Sequence, residues 1–153
     1  MIRMSRLADY AVVILCHMSD GESNSRALSA RALSEYTDIS ESAIMKILKL
    51  LVRAEIVRSV RGSKGGYQVS YPPHEITILH IVSAIDGGVS ITQCSPTLGA
   101  MCACTFEAQC IAKKGFARIN AALQETLASF TLADFLTPTQ QIRLKDHYVA
   151  KSN

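Results

Sequence analysis

The sequence predicts a mainly α-helical protein with one small β-hairpin, built as a winged helix-turn-helix followed by a long dimerisation helix. Three observations predict it. Two short helical segments are joined by a tight turn at Thr37-Asp38, and the second carries Lys46, Lys49 and Arg53 away from an apolar face of Ile44, Ile47, Leu48 and Leu51. Two β-like runs, 57–60 and 67–71, follow at once and flank the basic, glycine-rich stretch Arg61-Gly-Ser-Lys-Gly-Gly66. Further on, Phe116, Leu123 and Phe130 recur every seven residues with Ile119 and Leu127 between them, a seam of coiled-coil type. These features divide the chain into a DNA-reading unit (1–73), a region holding a linker helix, a cysteine loop and the dimerisation helix (74–136), and a C-terminal tail (137–153).

Each element has a local cause. Residues 3–19 read as a helix, with Leu7, Ala11, Ile14 and Met18 at helical spacing. Val12, Val13, Leu15 and Cys16 make it apolar nearly all round, which predicts burial on several sides and a place at a subunit interface. Asp9 is then an awkward charge on an apolar helix. A polar turn follows at 20–25. Ser29 caps a short helix over 30–36, Asp38 suits a left-handed turn residue, and Ser40 caps a second helix over 41–54 with Glu41 at its positive end. Pro72-Pro73 ends the first unit. Thr77 caps a helix that Asp86-Gly87-Gly88 stops. After the cysteines, 111–130 reads as one long helix whose seam is assigned to a second subunit, because the first half of the chain is already a complete small domain. Thr131-x-x-Asp134 resembles a capping box for a short helix over 132–136, and Pro138 breaks it. The tail, 139–153, reads as a final polar helix or a loose end.

Charge sharpens the reading. The formal net charge is +3, and residues 1–70 hold ten Lys/Arg against seven Asp/Glu while the remainder is balanced at six each. Within residues 46–64 six basic residues face Glu55 alone. Such a stripe is the footprint of a nucleic-acid partner, double-stranded DNA in this context, although a solvated helix face has the same composition. Ser40, Ser42, Lys46 and Lys49 are the candidates for the major groove or its phosphates. At the hairpin tip Arg61, Gly62 and Lys64 are candidates for close approach, with Arg61 suited to a minor groove. No apolar run is long enough to span a bilayer and no signal peptide is evident, so the expectation is a cytoplasmic protein with no membrane partner. Ser-His-Asp order, a phosphate loop and paired catalytic carboxylates are all absent from the sequence, which argues against an enzyme.

Four of the five cysteines fall in the 17 residues from Cys94 to Cys110, with Cys102 and Cys104 between them. Pro96 and Gly99 make the first half of that stretch a loop, and a loop can turn several thiols toward one point. Clustered thiols in a cytosolic chain point to metal binding or redox chemistry rather than a disulfide framework. Thiolates are the usual ligands of iron–sulfur clusters. A structural zinc site usually shows paired cysteines two to four residues apart, and the loop has no C-x-x-C. A zinc site and a metal-free thiol switch through Cys102 and Cys104 stay open on spacing alone. Cys16, in the apolar first helix, reads as core.

Taken together, Leu7-Ala-Asp-Tyr-Ala11, the helix end Leu51-Val-Arg-Ala-Glu-Ile56, the wing Val60-Arg-Gly-Ser-Lys-Gly-Gly-Tyr67, Ile81-Val-Ser-Ala-Ile-Asp86, the cysteine loop and Thr131-Leu-Ala-Asp-Phe-Leu136 resemble the Rrf-two family of bacterial winged-helix regulators. That family includes the iron–sulfur regulator IscR and the nitric-oxide sensor NsrR. The resemblance spans about residues 4–136 and is greatest to the branch regulating the SUF iron–sulfur assembly genes. It implies a homodimeric repressor holding a 4Fe–4S or 2Fe–2S cluster. The family pattern of three cysteines, the last two separated by five residues, maps onto Cys94, Cys104 and Cys110, with Cys102 as an extra or alternative ligand. The histidine that some members carry three residues after the last cysteine is Lys113 here. Other members take an aspartate from the partner subunit's first helix, and Asp9 stands at that position. The competing reading pairs Asp9 with Arg3 or Arg6. Ala43 and Met45 depart from residues common in relatives, which leaves the operator open. Nitric-oxide or iron sensing by the same architecture is the alternative signal.

Overall fold

The computed structural model describes residues 4–20, 26–62, 65–92 and 109–136. Helix α1 runs Arg6–Ser19, α2 Ala30–Thr37 and α3 Glu41–Arg53. Strands β1 (Val57–Val60) and β2 (Gly66–Val69) form an antiparallel hairpin in the register Val57↔Val69 to Val60↔Gly66. A 3-10 turn at Pro73–Glu75 leads into α4 (Ile78–Asp86), followed by α5 (Lys113–Ser129) and a last turn, α6 (Ala133–Leu136). A mostly helical chain with a two-stranded wing is the predicted class.

The helix starts follow from their caps. Ser29 Oγ accepts from Ala32 N (3.1 Å), Ser40 Oγ from Ala43 N (3.4 Å) and Thr77 Oγ1 from His80 N (3.1 Å). Asp38 closes α2 in the left-handed conformation (φ 55°), with its N–H donated to Ser34 O, and this sets the turn between the two helices. Ser5 caps α1 by accepting from Ala8 N and also donates to Asp86 Oδ1 (2.6 Å), which ties the start of α1 to the end of α4.

One core holds these elements together. Ile14, Leu15, Leu33, Ile44, Ile47, Leu48, Leu51, Ile56, Ile76, Ile81 and Leu132 are fully buried in it. Most of the apolar surface of α1 is covered by α2, α3, α4 and β2 of the same chain. Its all-round apolar character therefore has a cause within the subunit, and only Val13 among its large apolar residues is exposed. The core is continuous from α1–α3 into α4 and Leu132, across residues 73 and 74.

Two long-range pairings complete the frame. Leu28 exchanges backbone hydrogen bonds with Tyr67 (2.9 and 2.8 Å), so the segment before α2 lies along the free edge of β2. A Cβ on Gly66 would fall 2.5 Å from Leu28 O, and glycine is what permits that approach. Ile78 N donates to Phe130 O (2.9 Å) and Leu132 N to Ile76 O (2.8 Å), which fastens the end of α5 beside the start of α4. The seam of α5 is accordingly divided. Leu127 and Phe130 pack on the chain's own core, whereas Phe116 and Ile119 stand exposed at 37% and 51%. The heptad spacing had given the whole seam to a second subunit; the chain's own α4 covers its C-terminal end.

Candidate nucleic-acid interface and thiol centre

The amphipathic pattern of α3 fixes which way its polar residues point. Ile44, Ile47, Leu48 and Leu51 are buried, and this leaves Ser40, Ser42, Met45, Lys46, Lys49 and Arg53 exposed. Ser40 Oγ lies 3.3 Å from Ser42 Oγ at the helix start. Lys46 and Lys49 share a concave surface of about 580 Å³ with Met45, Val52, Ser59 and Tyr67, so α3 and the hairpin present one continuous face. Arg58, on the outward side of β1, donates to Gln68 Oε1 across the strand pair (2.9 Å). Arg61 and Gly62 are exposed at the start of the tip, and Gly62 sits at φ 119°, a conformation that side chains resist. Lys64 lies outside the described residues. Ser59 and Tyr67 were not singled out for this face from the sequence, whereas Met45 was noted there only as a departure from relatives. Their alternation along β1 and β2, and the position of Met45 one residue before Lys46, are the signals that mark them.

Of the four clustered thiols, only Cys110 is among the described residues; it is half-buried, three residues before α5. Its carbonyl accepts from Lys113 N (3.2 Å). Cys94, Cys102 and Cys104 lie outside them, and among the described residues no three metal-ligating side chains come together. Asp9 is exposed in α1 and lines a cleft of about 700 Å³ with Met4, Ser5, Arg6 and Asp86. Among the described residues no ion pair joins it to Arg6, and Arg3 is outside them. Cys16 has its thiol pushed up by burial, and further by the nearby Asp20 carboxylate, which keeps it protonated and fits its reading as core.

The segment entering the cysteine stretch is held by α5. Asn120, buried at 5% exposure, accepts from Ile91 N at Oδ1 (2.9 Å) and donates from Nδ2 to Ser90 Oγ (3.1 Å). One turn on, Gln124 Nε2 donates to Val89 O (2.9 Å). Neither residue stood out in the sequence, although their i, i+4 spacing places two amides on one helix face.

Known proteins share this fold. The chain matches the Rrf2 family, described as an iron-dependent transcriptional regulator, over residues 4–138. The chain belongs to that family. A Neisseria meningitidis serogroup A protein named for helix-turn-helix-type transcriptional regulation, NMA1593, is 31% identical over 72% of this chain and 72% of its own. IscR of Vibrio parahaemolyticus is 26% identical over 74% of this chain and 66% of its own. Among solved structures, the global cysteine regulator CymR of Bacillus subtilis has a TM-score of 0.65 at 25% identity, covering 89% of this chain and 97% of that one. IscR of T. potens has a TM-score of 0.64 at 23% identity, covering 88% and 86%. This Rrf2 chain is a DNA-binding transcriptional regulator and not an enzyme. Among its described residues no helix is long and apolar enough to cross a membrane.

Proposed function

We propose that this Rrf2 protein is an iron–sulfur-cluster-dependent repressor that acts in the cytoplasm as a homodimer and controls SUF-type cluster-assembly genes. The observation that carries the reading is the set of four thiols within 17 residues, in a chain that matches an iron-dependent regulator family. The donor chemistry fits the group: thiolates are its usual ligands, Cys110 is half-buried three residues before α5, and residues 90 and 91, before the thiol stretch, are hydrogen-bonded to Asn120 of α5. Cys94, Cys104 and Cys110 are the proposed ligands, with Cys102 as an extra or alternative thiol. Asp9, exposed and without an ion pair among the described residues, is the proposed carboxylate donated across the dimer. A bound cluster, 4Fe–4S or 2Fe–2S, supplies a redox- and ligand-sensitive centre whose stability depends on its surroundings.

The chain's own residues carry the reading of DNA. Lys46 and Lys49 neutralise phosphates, Ser40 and Ser42 sit at the α3 start where a helix enters the major groove, and the tip bearing Arg61, Gly62 and Lys64 approaches the backbone or minor groove. Two such faces in a dimer read half-sites at a fixed separation, so a small change in their spacing alters affinity. A tenfold change needs only about 1.4 kcal/mol of differential stability.

Anaerobic purification followed by a visible spectrum and iron, sulfide and zinc assays tests the cluster. Brown protein that bleaches in air and loses iron in Cys94→Ala, Cys104→Ala and Cys110→Ala is expected. Colourless protein with stoichiometric zinc overturns the reading. Unchanged iron in Asp9→Ala removes the cross-dimer ligand. A second reading, a metal-free thiol switch, is favoured by the proximity of Cys102 and Cys104 in sequence and by the likeness to a cysteine regulator. It predicts colourless protein whose DNA affinity follows thiol oxidation. Anaerobic footprinting on a SUF-type promoter, with and without cluster, tests the target.

A further inference from the structure

Met45 is the one large apolar side chain that α3 leaves exposed, at 46%. Ser42, Met45, Lys46 and Lys49 follow the i, i+3, i+4, i+7 spacing of a single helix face, opposite the buried Ile44, Ile47, Leu48 and Leu51. Met45 is the fifth residue of α3, which puts it about 6 Å along the axis from the first. It therefore lies in the N-terminal part of the helix, the part that meets base edges when such a helix enters the major groove. Its concave surface is shared with Lys46, Lys49, Val52, Ser59 and Tyr67. Val52 and Tyr67 pack partly on the core, and Tyr67 is held between Leu28 and Ser59 by backbone pairing on both sides. The face thus combines two cations with a supported apolar patch, and Met45 is the most exposed part of that patch.

We propose that Met45 is a specificity-determining residue whose thioether side chain packs on a pyrimidine 5-methyl group, that of thymine or of 5-methylcytosine, on the floor of the major groove. The assignment rests on α3 lying in that groove, as proposed above. Chemical matching decides the partner. Phosphate oxygens accept hydrogen bonds and a thioether donates none, so Met45 has nothing to offer the backbone that Lys46 and Lys49 neutralise. The major-groove edges of the four base pairs carry donors, acceptors and one apolar group, the C5-methyl of thymine. Against a donor or acceptor, Met45 would strip water from a polar atom and give it no partner. Against a methyl group, both surfaces leave water with nothing left unpaired. The unbranched, polarizable side chain adapts its shape to that contact.

The test uses full-length protein purified without oxygen, before and after iron chelation, and a random synthetic duplex pool from which wild type selects its operator. Thymines of that operator are then replaced one at a time by deoxyuridine, which deletes the methyl and keeps every hydrogen-bonding group. Anisotropy titrations read the affinity. At one thymine per half-site the replacement is expected to weaken wild type about fourfold, the worth of one buried methyl, and to leave Met45→Ala unaffected. At the same position, 5-methylcytosine binding wild type about fourfold more tightly than cytosine extends the recognised group to both pyrimidines; equal binding assigns it to thymine. Met45→Gln, of similar length, should select a different base there and keep the wild-type slope of log affinity against log salt, which a lost phosphate contact would lower. Alanine and glutamine are good helix formers, so neither variant endangers α3. The assignment is overturned if no thymine replacement weakens wild type, if Met45→Ala is weakened equally at every thymine, or if Met45→Gln selects the wild-type sequence. A pool that yields wild type no consensus in either state overturns the placement of α3 in the groove, and this assignment with it.

Discussion

The helix-turn-helix unit and α5 solve the problem of apolar surface in opposite ways. In α3 the apolar face is fully covered: Ile44, Ile47, Leu48 and Leu51 are all at 0% exposure. In α5, 17 residues long, the single buried residue is a polar one, Asn120, while Phe116 and Ile119 face solvent. A helix that leaves Phe116 and Ile119 outside and holds an amide inside is not completed by the described residues of its own chain. The contrast teaches that α3 is completed by the shared core, whereas α5 makes polar contacts to residues 89–91 and leaves Phe116 and Ile119 uncovered by the described residues, a surface that the proposed function gives to a second copy.

The sharpest way to break this comparison is to weaken each region separately. Leu48→Ala removes a fully buried side chain from the shared core and should cost about 2–5 kcal/mol in denaturant unfolding, independent of protein concentration in its direct effect on the chain. Ile119→Asp removes surface that the described residues leave uncovered. It should leave the unfolding of the isolated chain nearly unchanged and raise the dimer dissociation constant by about 10–100-fold, the equivalent of roughly 1.5–3 kcal/mol for one such side chain. Sedimentation across a concentration series reads the second effect. If Ile119→Asp destabilises the chain as Leu48→Ala does, or leaves association unaltered, the division between the regions is wrong.

The same contrast explains what was legible in the sequence. The helix-turn-helix was readable because each of its signals is local. Ser29, Ser40 and Thr77 cap the helices the spacing assigns to them, and Asp38 adopts the left-handed turn its type allows. The pairing of Leu28 with Tyr67 and of Thr77 with Thr131 joins residues far apart in sequence, and no periodicity announces it. Gly66 was readable as a turn residue, but its reason is the passage of Leu28 O beside it. The C-terminal end of the α5 seam was misassigned for a related cause: a heptad shows which residues share a face, not how far along the helix the chain's own core reaches. Of the thiol stretch, Cys110 alone is among the described residues, half-buried three residues before α5. Cys94, Cys102 and Cys104 lie outside the described residues, so the ligand set stays a proposal.

A smaller effect sharpens the comparison on the DNA face. Lys46 and Lys49 are exposed on the surface that α3 shares with the hairpin. If each neutralises one phosphate, Lys49→Ala should reduce the slope of log affinity against log salt by about 0.9 and weaken binding alike across operator and non-operator sequences. Anisotropy titrations at several salt concentrations measure it. A slope equal to wild type would remove Lys49 from the interface. The α5 variants should change affinity only through dimerisation and leave the slope per subunit alone.

The smallest effect lies at the joint between the two regions. Asp134 accepts from the backbone N–H of Thr131 (2.7 Å) and from its hydroxyl (2.9 Å), and these hydrogen bonds, the backbone one foremost, hold its carboxyl below the usual range. Half of the expected capping box is formed: the acidic side chain reaches back, while Asp134 N donates to Thr131 O rather than to the threonine hydroxyl. A carboxyl with a lowered folded-state value stabilises the fold fully above its unfolded value, about 3.9, and this contribution disappears as pH falls through the folded value. The thermal midpoint of wild type should therefore carry a small acid-labile part below about pH 4 that Asp134→Asn lacks. The group is exposed, so solvent screening keeps the difference small. Its location gives it meaning: Leu132, fully buried, and the Phe130–Ile78 hydrogen bond lie beside it. If acid loosens this clasp alone, the end of α5 should exchange its amides faster while α3 stays protected. Simultaneous loss of protection in α3 would mean that the two regions open as one unit and that the contrast between them is confined to their surfaces.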